Sequence, residues 1–203
     1  AIALNCENNR DERSRYLLVE NRKVENYVDM ALYYARMDAV YKDYMIAETN
    51  LQEVAQQVLL QNKYYLIQSH VKAEVACPDT VYSDKKWIAF ILNQLIQNSV
   101  KYGRSEGTHI QIVTKKTKSG VLLRVKDDGI GIPKEEIPRI FEKGFTGTNG
   151  RNRERSTGMG LYLCRKLCDK LNIEIRAESA EGKGTEIILM FPVSDYLTGY
   201  RET

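Results

Sequence analysis

The 203-residue sequence predicts an α+β fold: a two-layer sandwich in which helices cover one face of a mixed, mostly antiparallel sheet, preceded by one long helix. Three observations lead there. Residues 12–46 hold neither Gly nor Pro and carry apolar side chains at helical spacings. From about residue 47 onward, segments of helical period interleave with segments that alternate apolar and polar residues, as in a sheet buried on one face. Two of the alternating segments, 109–116 and 121–127, are joined by the turn-like "TKSG", so they pair as a hairpin.

The elements follow in chain order. In residues 12–46, Leu17, Val24, Tyr27, Val28, Ala31, Tyr34 and Ala35 recur every three, four or seven residues, with Arg22, Lys23, Glu25 and Asp29 between them. Such a helix needs a partner for its apolar side. It either lies on its own domain or forms half of a helical hairpin for dimerisation, with "NNRDE" as the turn; the heptad-like stripe favours the second. Residues 1–46 therefore read as a partial helical region and 47–203 as a separate domain. Asn50 with Glu53 three residues on is a capping-box-like start for "LQEVAQQVLLQNK". "HVKAEVA" alternates like a strand. Residues 84–102 predict a strong helix, with Asp84 as cap and Ile88, Ile91, Leu92, Leu95 and Ile96 as its apolar face. After the 109–127 hairpin, residues 142–157 are rich in Gly, Asn and Arg with almost no aliphatic content, and predict a long mobile loop. A helix over 158–171 and strands over 173–179 and 184–191 complete the domain.

Composition narrows the function classes. The 30 basic and 27 acidic residues nearly balance, so charge gives no argument for nucleic acid or for a membrane surface. No run reaches the length of a membrane-spanning helix. Cys6, Cys77, Cys164 and Cys168 lack the spacing of a zinc site and predict free thiols.

Three clusters carry candidate chemistry. On the 84–102 helix, Gln94, Asn98 and Lys101 share one side, opposite the aliphatic stripe. The neutral oxygen of Asn98 suits a hard cation such as Mg²⁺, and Lys101 could meet phosphate; taken alone, an Asn and a Lys on a helix more often mark a solvated face. Asp127 ends a strand, where a buried carboxylate can accept from an exocyclic amine such as that of adenine. Gly129 and Gly131 would let the main chain pass beneath a flat base, or simply make a turn. Gly158 and Gly160 open a helix whose free amides suit phosphate oxygens. "EGKGTEI" at 181–187 sets a turn before the last strand.

The order of these clusters is more specific than any one of them. "NQLIQNSVKY", "DDGIGI", "IFEKGFTG", "STGMGL" and "EGKGTEI" together resemble the N, G1, F, G2 and G3 boxes of the histidine kinase catalytic domain, in the GHKL ATP-binding superfamily, over roughly residues 50–193. The resemblance implies ATP and Mg²⁺ as ligands. It makes Asn98 the Mg²⁺ ligand, sets Lys101 and Tyr102 beside the phosphates and sugar, and gives Asp127 the adenine. Gly129 and Gly131 then shape the pocket and Ile132 packs nearby. Residues 142–157, with Gly144, Phe145, Thr146 and Gly147, become a lid. Within it Lys143, Arg151, Arg153 or Arg155 could stabilise charge on the γ-phosphate. Ser156, Thr157, Gly158, Met159, Gly160 and Leu161 match the phosphate-binding helix start, and Thr185 the last box.

Two departures qualify the resemblance. Four residues before Asn98, hydrolytic relatives carry a glutamate that serves as general base; here Gln94 cannot take a proton usefully, which favours phosphoryl transfer over hydrolysis. The acceptor histidine motif is also missing: the two histidines, His70 and His109, lack the acid and proline that follow an acceptor, and both fall on predicted strands. "VENYVDMALYYARMDAVYKDY" is similar to the second dimerisation helix of kinases that sense envelope stress or antimicrobial peptides beside a transporter. The sequence is thus expected to be the cytoplasmic part of a membrane sensor, cut downstream of its phosphorylated histidine. That reading implies a homodimer through the N-terminal helices, a response regulator and a peptide-resistance ABC transporter as partners, and no nucleic acid. The alternatives are a nucleotide-binding scaffold or pseudokinase, and an ATPase or anti-sigma-type serine kinase of the same superfamily.

Overall fold

The computed structural model describes residues 12–36, 44–148 and 157–193. Helix α1 (Glu12–Arg36) is followed by β1 (Ala47–Asn50), α2 (Leu51–Gln61), α3 (Lys63–Gln68), β2 (Val71–Ala76) and β3 (Thr80–Ser83). Then come α4 (Lys85–Lys101), β4 (Thr108–Thr117), β5 (Gly120–Asp127), a 3₁₀ turn (Ile137–Arg139), α5 (Gly160–Lys170), β6 (Glu174–Ser179) and β7 (Thr185–Pro192). The "NNRDE" turn, Cys6, and the loop positions Arg151, Arg153, Arg155 and Ser156 lie outside the described residues.

Among the described residues one sheet runs in the order β2-β4-β5-β7-β6, with β2 and β4 parallel and every other pair antiparallel. Strands β1 and β3 form a separate antiparallel ladder. Helices α2, α4 and α5 cover one face, burying Leu51, Val54 and Val58, then Ile88, Ile91, Leu92, Leu95 and Ile96, then Leu163 and Leu167 against Ile110, Ile112, Leu123, Val125 and Leu189. The expected two-layer sandwich is therefore what forms. Elements β1, β3 and α3 were not foreseen: at 4, 4 and 6 residues they are too short to develop a period.

Both predicted caps form. Asn50 accepts from the Glu53 amide at 3.1 Å. Asp84 accepts from Lys86 N at 2.9 Å and Trp87 N at 3.3 Å, and its second oxygen takes Met45 N at 2.8 Å. The five buried aliphatics of α4 contribute roughly 8–15 kcal/mol by area, so burial holds the helix and the cap sets where it starts. Asp84→Ala should cost about 2 kcal/mol, because it strands a buried helix start and frees the chain entering β1; a thermal melt should fall by about 4–8 °C.

Helix α1 departs from expectation in two ways. Residues 44–46 are not helical, so the helix does not continue to 46 as predicted; residues 37–43 lie outside the described set. The apolar side chains of α1 that pack on the domain core are Met30 and Tyr33, which lie outside the predicted stripe: Tyr33 packs at a tilt against Trp87 (4.8 Å between centroids) and edge-on to Phe90 (4.5 Å). Leu17, Val24, Tyr27, Val28, Ala31 and Tyr34 are exposed. Among the described residues no helix is long and apolar enough to cross a membrane. Cys77, Cys164 and Cys168 are free and buried; burial pushes the Cys77 thiol up to about 11 and that of Cys168 to about 12, so these thiols are unreactive.

Candidate functional site

A cleft of about 790 Å³, counted with its open mouth, lies where the C-terminal half of α4 meets the end of β5 and the start of β7. Its walls are apolar, with Leu95, Val125, Ile132, Ile140, Leu161 and Ile187, and a small polar set is mounted on them: Asn98, Ser99, Asp127, Glu136, Thr146 and Thr185. An apolar slot with a few fixed polar groups is the usual form of a small-molecule site.

Asp127 is the centre of that polar set. The register pairs it with Ile110 on one side and Thr185 on the other, so β5 delivers it to the sheet end beside the last strand. Its Oδ1 accepts from the amides of Gly129 (3.0 Å) and Thr185 (3.1 Å), and its Oδ2 accepts from the Ser99 hydroxyl (2.8 Å). Burial raises its pKa above the usual carboxylate value, and the three donors and the nearby Asp128 modify that shift, the donors downward and Asp128 upward. Oδ2 keeps room for one further donor.

The loop after β5 is held by backbone contacts on both sides. Ile130 N bonds to Tyr102 O at 3.0 Å, and Gly182 N bonds to Ile130 O at 2.7 Å. A Cβ at Gly129 would stand 2.6 Å from Tyr102 O; one at Gly131, where φ is +71°, would stand 2.0 Å from Ala180 O. These glycines are needed because the loop is wedged between α4 and the β6–β7 hairpin. Packing against these neighbours is thus a reason for glycine that the sequence does not show, and Gly131 also lines the cleft. Across the mouth, Gly144 N donates to Gly158 O at 3.1 Å, so the described ends of the Gly/Arg loop are tied together.

Of the predicted site residues, Asn98, Tyr102, Asp127, Gly131, Ile132, Phe145, Thr146, Gly147, Leu161 and Thr185 all line the cleft. Gly129, Gly144, Thr157, Gly158, Met159 and Gly160 are not among the residues that line it. Helix α5 begins at Gly160 rather than at 158, and its cap Met159 has no side-chain bond to the first amides. Lys101 is outside the wall, with its ammonium 6.0 Å from the Tyr102 ring centre. Lys143 reaches the other way, donating to the Tyr34 hydroxyl of α1 and lying 4.8 Å from that ring centre. Gln94 is buried at 5% exposure with its Oε1 directly under Gly160, so it is not on an open polar face with Asn98 and Lys101; α5 covers that side of α4. His70 is corrected too: it sits in the turn before β2, with φ +54°. His109 is on β4 as expected, 3.2 Å from Glu74.

Sequence reasoning missed Ser99 and Glu136. Ser99 is a polar residue inside an apolar run beside Asn98, which is the signal that could have revealed it. Glu136 accepts from Thr148 through both its amide (2.8 Å) and its hydroxyl (2.7 Å), a contact between residues distant in sequence that no local pattern announces.

Residues 83–195 match the family described as histidine kinase-, DNA gyrase B-, and HSP90-like ATPase. The sensor histidine kinase YxdK of Bacillus subtilis is 34% identical over 174 residues, covering 85% of this chain and 54% of that protein. The sensor protein kinase GraS of Staphylococcus aureus is 36% identical over 189 residues, covering 91% of this chain and 53% of that protein. The chain thus spans about half the length of these relatives. Among solved structures, histidine kinase ThkA in complex with the response regulator TrrA has the same fold, with a TM-score of 0.64 and 20% identity over 93% of this chain and 53% of that one.

Proposed function

Because the chain belongs to the histidine kinase-, DNA gyrase B- and HSP90-like ATPase family, we propose that its cleft binds ATP with Mg²⁺ and that it is the catalytic portion of a sensor histidine kinase. In the whole protein the γ-phosphoryl would pass to a histidine on a dimerisation helix and from there to a response-regulator aspartate. One observation carries the reading: a buried carboxylate, Asp127, held as an acceptor in an apolar slot. That is what the exocyclic amine of adenine needs, and Leu95, Ile132, Ile140 and Leu161 suit the flat faces of the base.

The triphosphate would extend from Asp127 past Asn98 toward Phe145–Gly147 and the start of α5, whose first amides lack a side-chain cap. Among the described residues no group of three or more His, Cys, Asp or Glu could hold a metal. Among the oxygen donors on the cleft wall, the neutral Asn98 oxygen would fit a cation that takes most of its ligands from phosphate and water, as Mg²⁺ does. Mg²⁺ would supply charge neutralisation on the phosphate oxygens. The chain's own part is positioning: Asp127 orients the base and Asn98 fixes the metal-phosphate end. Lys101 and, from outside the described residues, Arg155 are proposed beside the phosphates. The position of Lys143 argues for a tie to α1 instead. Gln94, buried and unable to act as a base, argues against rapid hydrolysis.

The exposed stripe on α1 supports dimerisation through the N-terminal region, and the ThkA–TrrA complex supports a response regulator as the partner. Residues 1–46 would then be the partial dimerisation region and 47–203 the catalytic domain. The acceptor histidine and the membrane anchor would belong to the rest of the protein, and a transporter partner rests on the resemblance of the α1 sequence alone.

Calorimetry of ATP with and without Mg²⁺ tests the reading. Mg²⁺ should tighten binding by the parent chain, and Asn98→Ala should remove most of that gain, about tenfold in Kd. A parent chain that binds ATP equally well without Mg²⁺ would refute the role of Asn98, and one that does not bind ATP would refute the proposal.

A further inference from the structure

A serine inside a helix ordinarily turns back to a carbonyl of its own preceding turn or points to solvent. Ser99 does neither. It is 5% exposed and crosses from α4 to β5, placing its hydroxyl 2.8 Å from Asp127 Oδ2. An ionised carboxylate has no proton to give, so Ser99 is the donor in this bond. The two backbone donors to Asp127 both go to Oδ1, which leaves Ser99 as the fixed donor on Oδ2.

This placement matters for the identity of the base. Held ionised, Oδ2 accepts only, which suits the 6-amino group of adenine and opposes the 6-keto oxygen of hypoxanthine or guanine. Once protonated, the same carboxyl could donate to a keto oxygen, and the distinction would fade. The balance is delicate because burial works against the charged form. The surrounding titratable groups do little to help: Arg104, a nearby cation, is turned to the carbonyls of Asp128 and Gly182. Asp128 is a like charge whose Oδ1 takes His109 N, Glu136 is on the cleft wall, and Glu186 on β7 is paired with Arg124. From α4, Lys101 and Tyr102 stand near each other at the helix end.

We propose that Ser99 is a specificity-determining positioning residue, whose hydroxyl holds Asp127 Oδ2 as an ionised acceptor and so selects a 6-amino over a 6-keto purine. The proposal rests on the assignment of adenine to Asp127.

The test is calorimetric titration of the full chain with Mg·ATP and Mg·ITP between pH 5.5 and 8, repeated on Ser99→Ala, Ser99→Cys and Ser99→Thr. The parent should prefer ATP. Ser99→Ala should weaken ATP binding about tenfold, narrow the ATP-to-ITP ratio by a similar factor, and move the acid-side loss of ATP affinity to higher pH, because one donor to the charged form is gone. Ser99→Cys, which keeps the volume but donates weakly, should behave like Ala even if Ala unfolds the chain. Ser99→Thr should restore the ratio and the pH profile. An unchanged ratio and profile in folded Ser99→Ala or Ser99→Cys would overturn the proposal, as would equal losses for both nucleotides with no shift in pH. If that happens while Asp127→Asn still loses ATP, only the role of Ser99 falls. If the parent prefers neither nucleotide, the adenine assignment falls with it.

Discussion

Asp127→Asn should weaken ATP binding by about two orders of magnitude while the chain keeps its fold. The asparagine oxygen can still take the Gly129 and Thr185 amides, which now meet at Oδ1. Its amide nitrogen then replaces Oδ2, so that a donor faces both the Ser99 hydroxyl and the amine of the adenine proposed to bind there. Ser99 can rotate to accept, but the base amine cannot. Losing a charge-assisted bond and opposing two donors costs about 3 kcal/mol in a buried site, which is roughly a hundredfold in Kd. Stability should move differently. The raised pKa of Asp127 means that the folded chain holds this proton more tightly than the unfolded chain does. Its stabilising contribution is therefore present below the unfolded pKa and is lost as pH rises through the folded one. Asn has no such dependence, so the melting temperature of the variant should gain on the parent as pH rises. Calorimetry gives the first result and thermal melts at two pH values the second. Wild-type affinity in the variant would remove Asp127 from base recognition.

Gly184→Ala should be among the most damaging single-methyl changes near the site, together with Gly131→Ala. Gly184 has φ +88°, and a Cβ there would lie 2.0 Å from the carbonyl oxygen of Asp127. The hairpin cannot back away freely, because Ser179 Oγ donates to Gly184 O at 2.7 Å and Thr185 N is bonded to the Asp127 carboxylate. The backbone conformation costs a non-glycine residue about 1–2 kcal/mol and the overlap roughly another 1–3 kcal/mol. A total near 3 kcal/mol should lower the melting temperature by about 6–12 °C, and ATP binding should weaken with it as Asp127 is displaced. Gly182→Ala is the control: φ is +74° but no atom lies within 4 Å of the added methyl, so only the backbone cost applies. Equal melting temperatures in the two variants would mean that the "EGKGTEI" cluster is only a turn and does not brace Asp127.

Much of this arrangement was legible in order and type. Helix α4 was readable because its five aliphatics repeat over 17 residues between a capping Asp84 and a tyrosine, and β4 and β5 because their alternation is sustained. Ten of the expected residues line the cleft because a motif keeps its residues at fixed places on elements of fixed period. What escaped has a common cause. Ser99 to Asp127, Glu136 to Thr148 and Lys143 to Tyr34 are contacts between residues separated by 28, 12 and 109 positions, and periodicity does not register any of them. Gln94 was misjudged because helical spacing gives the side on which a residue lies but not what covers it.

The sequence by itself determined the elements long enough to show a period, the caps that start two of them, and the chain order of the boxes that places this protein in its family. Each of these is local: a side chain and its neighbours within one or two turns carry the information. Only the tertiary structure decided which side of α1 meets the domain, why the glycines around Asp127 are glycines, and that a serine stands behind the carboxylate. Those outcomes depend on which surfaces approach within a few ångströms once the sheet has closed. The energy of such approaches comes from atoms far apart in the chain, so it is written in the packing of the fold and not in the pattern of any one segment.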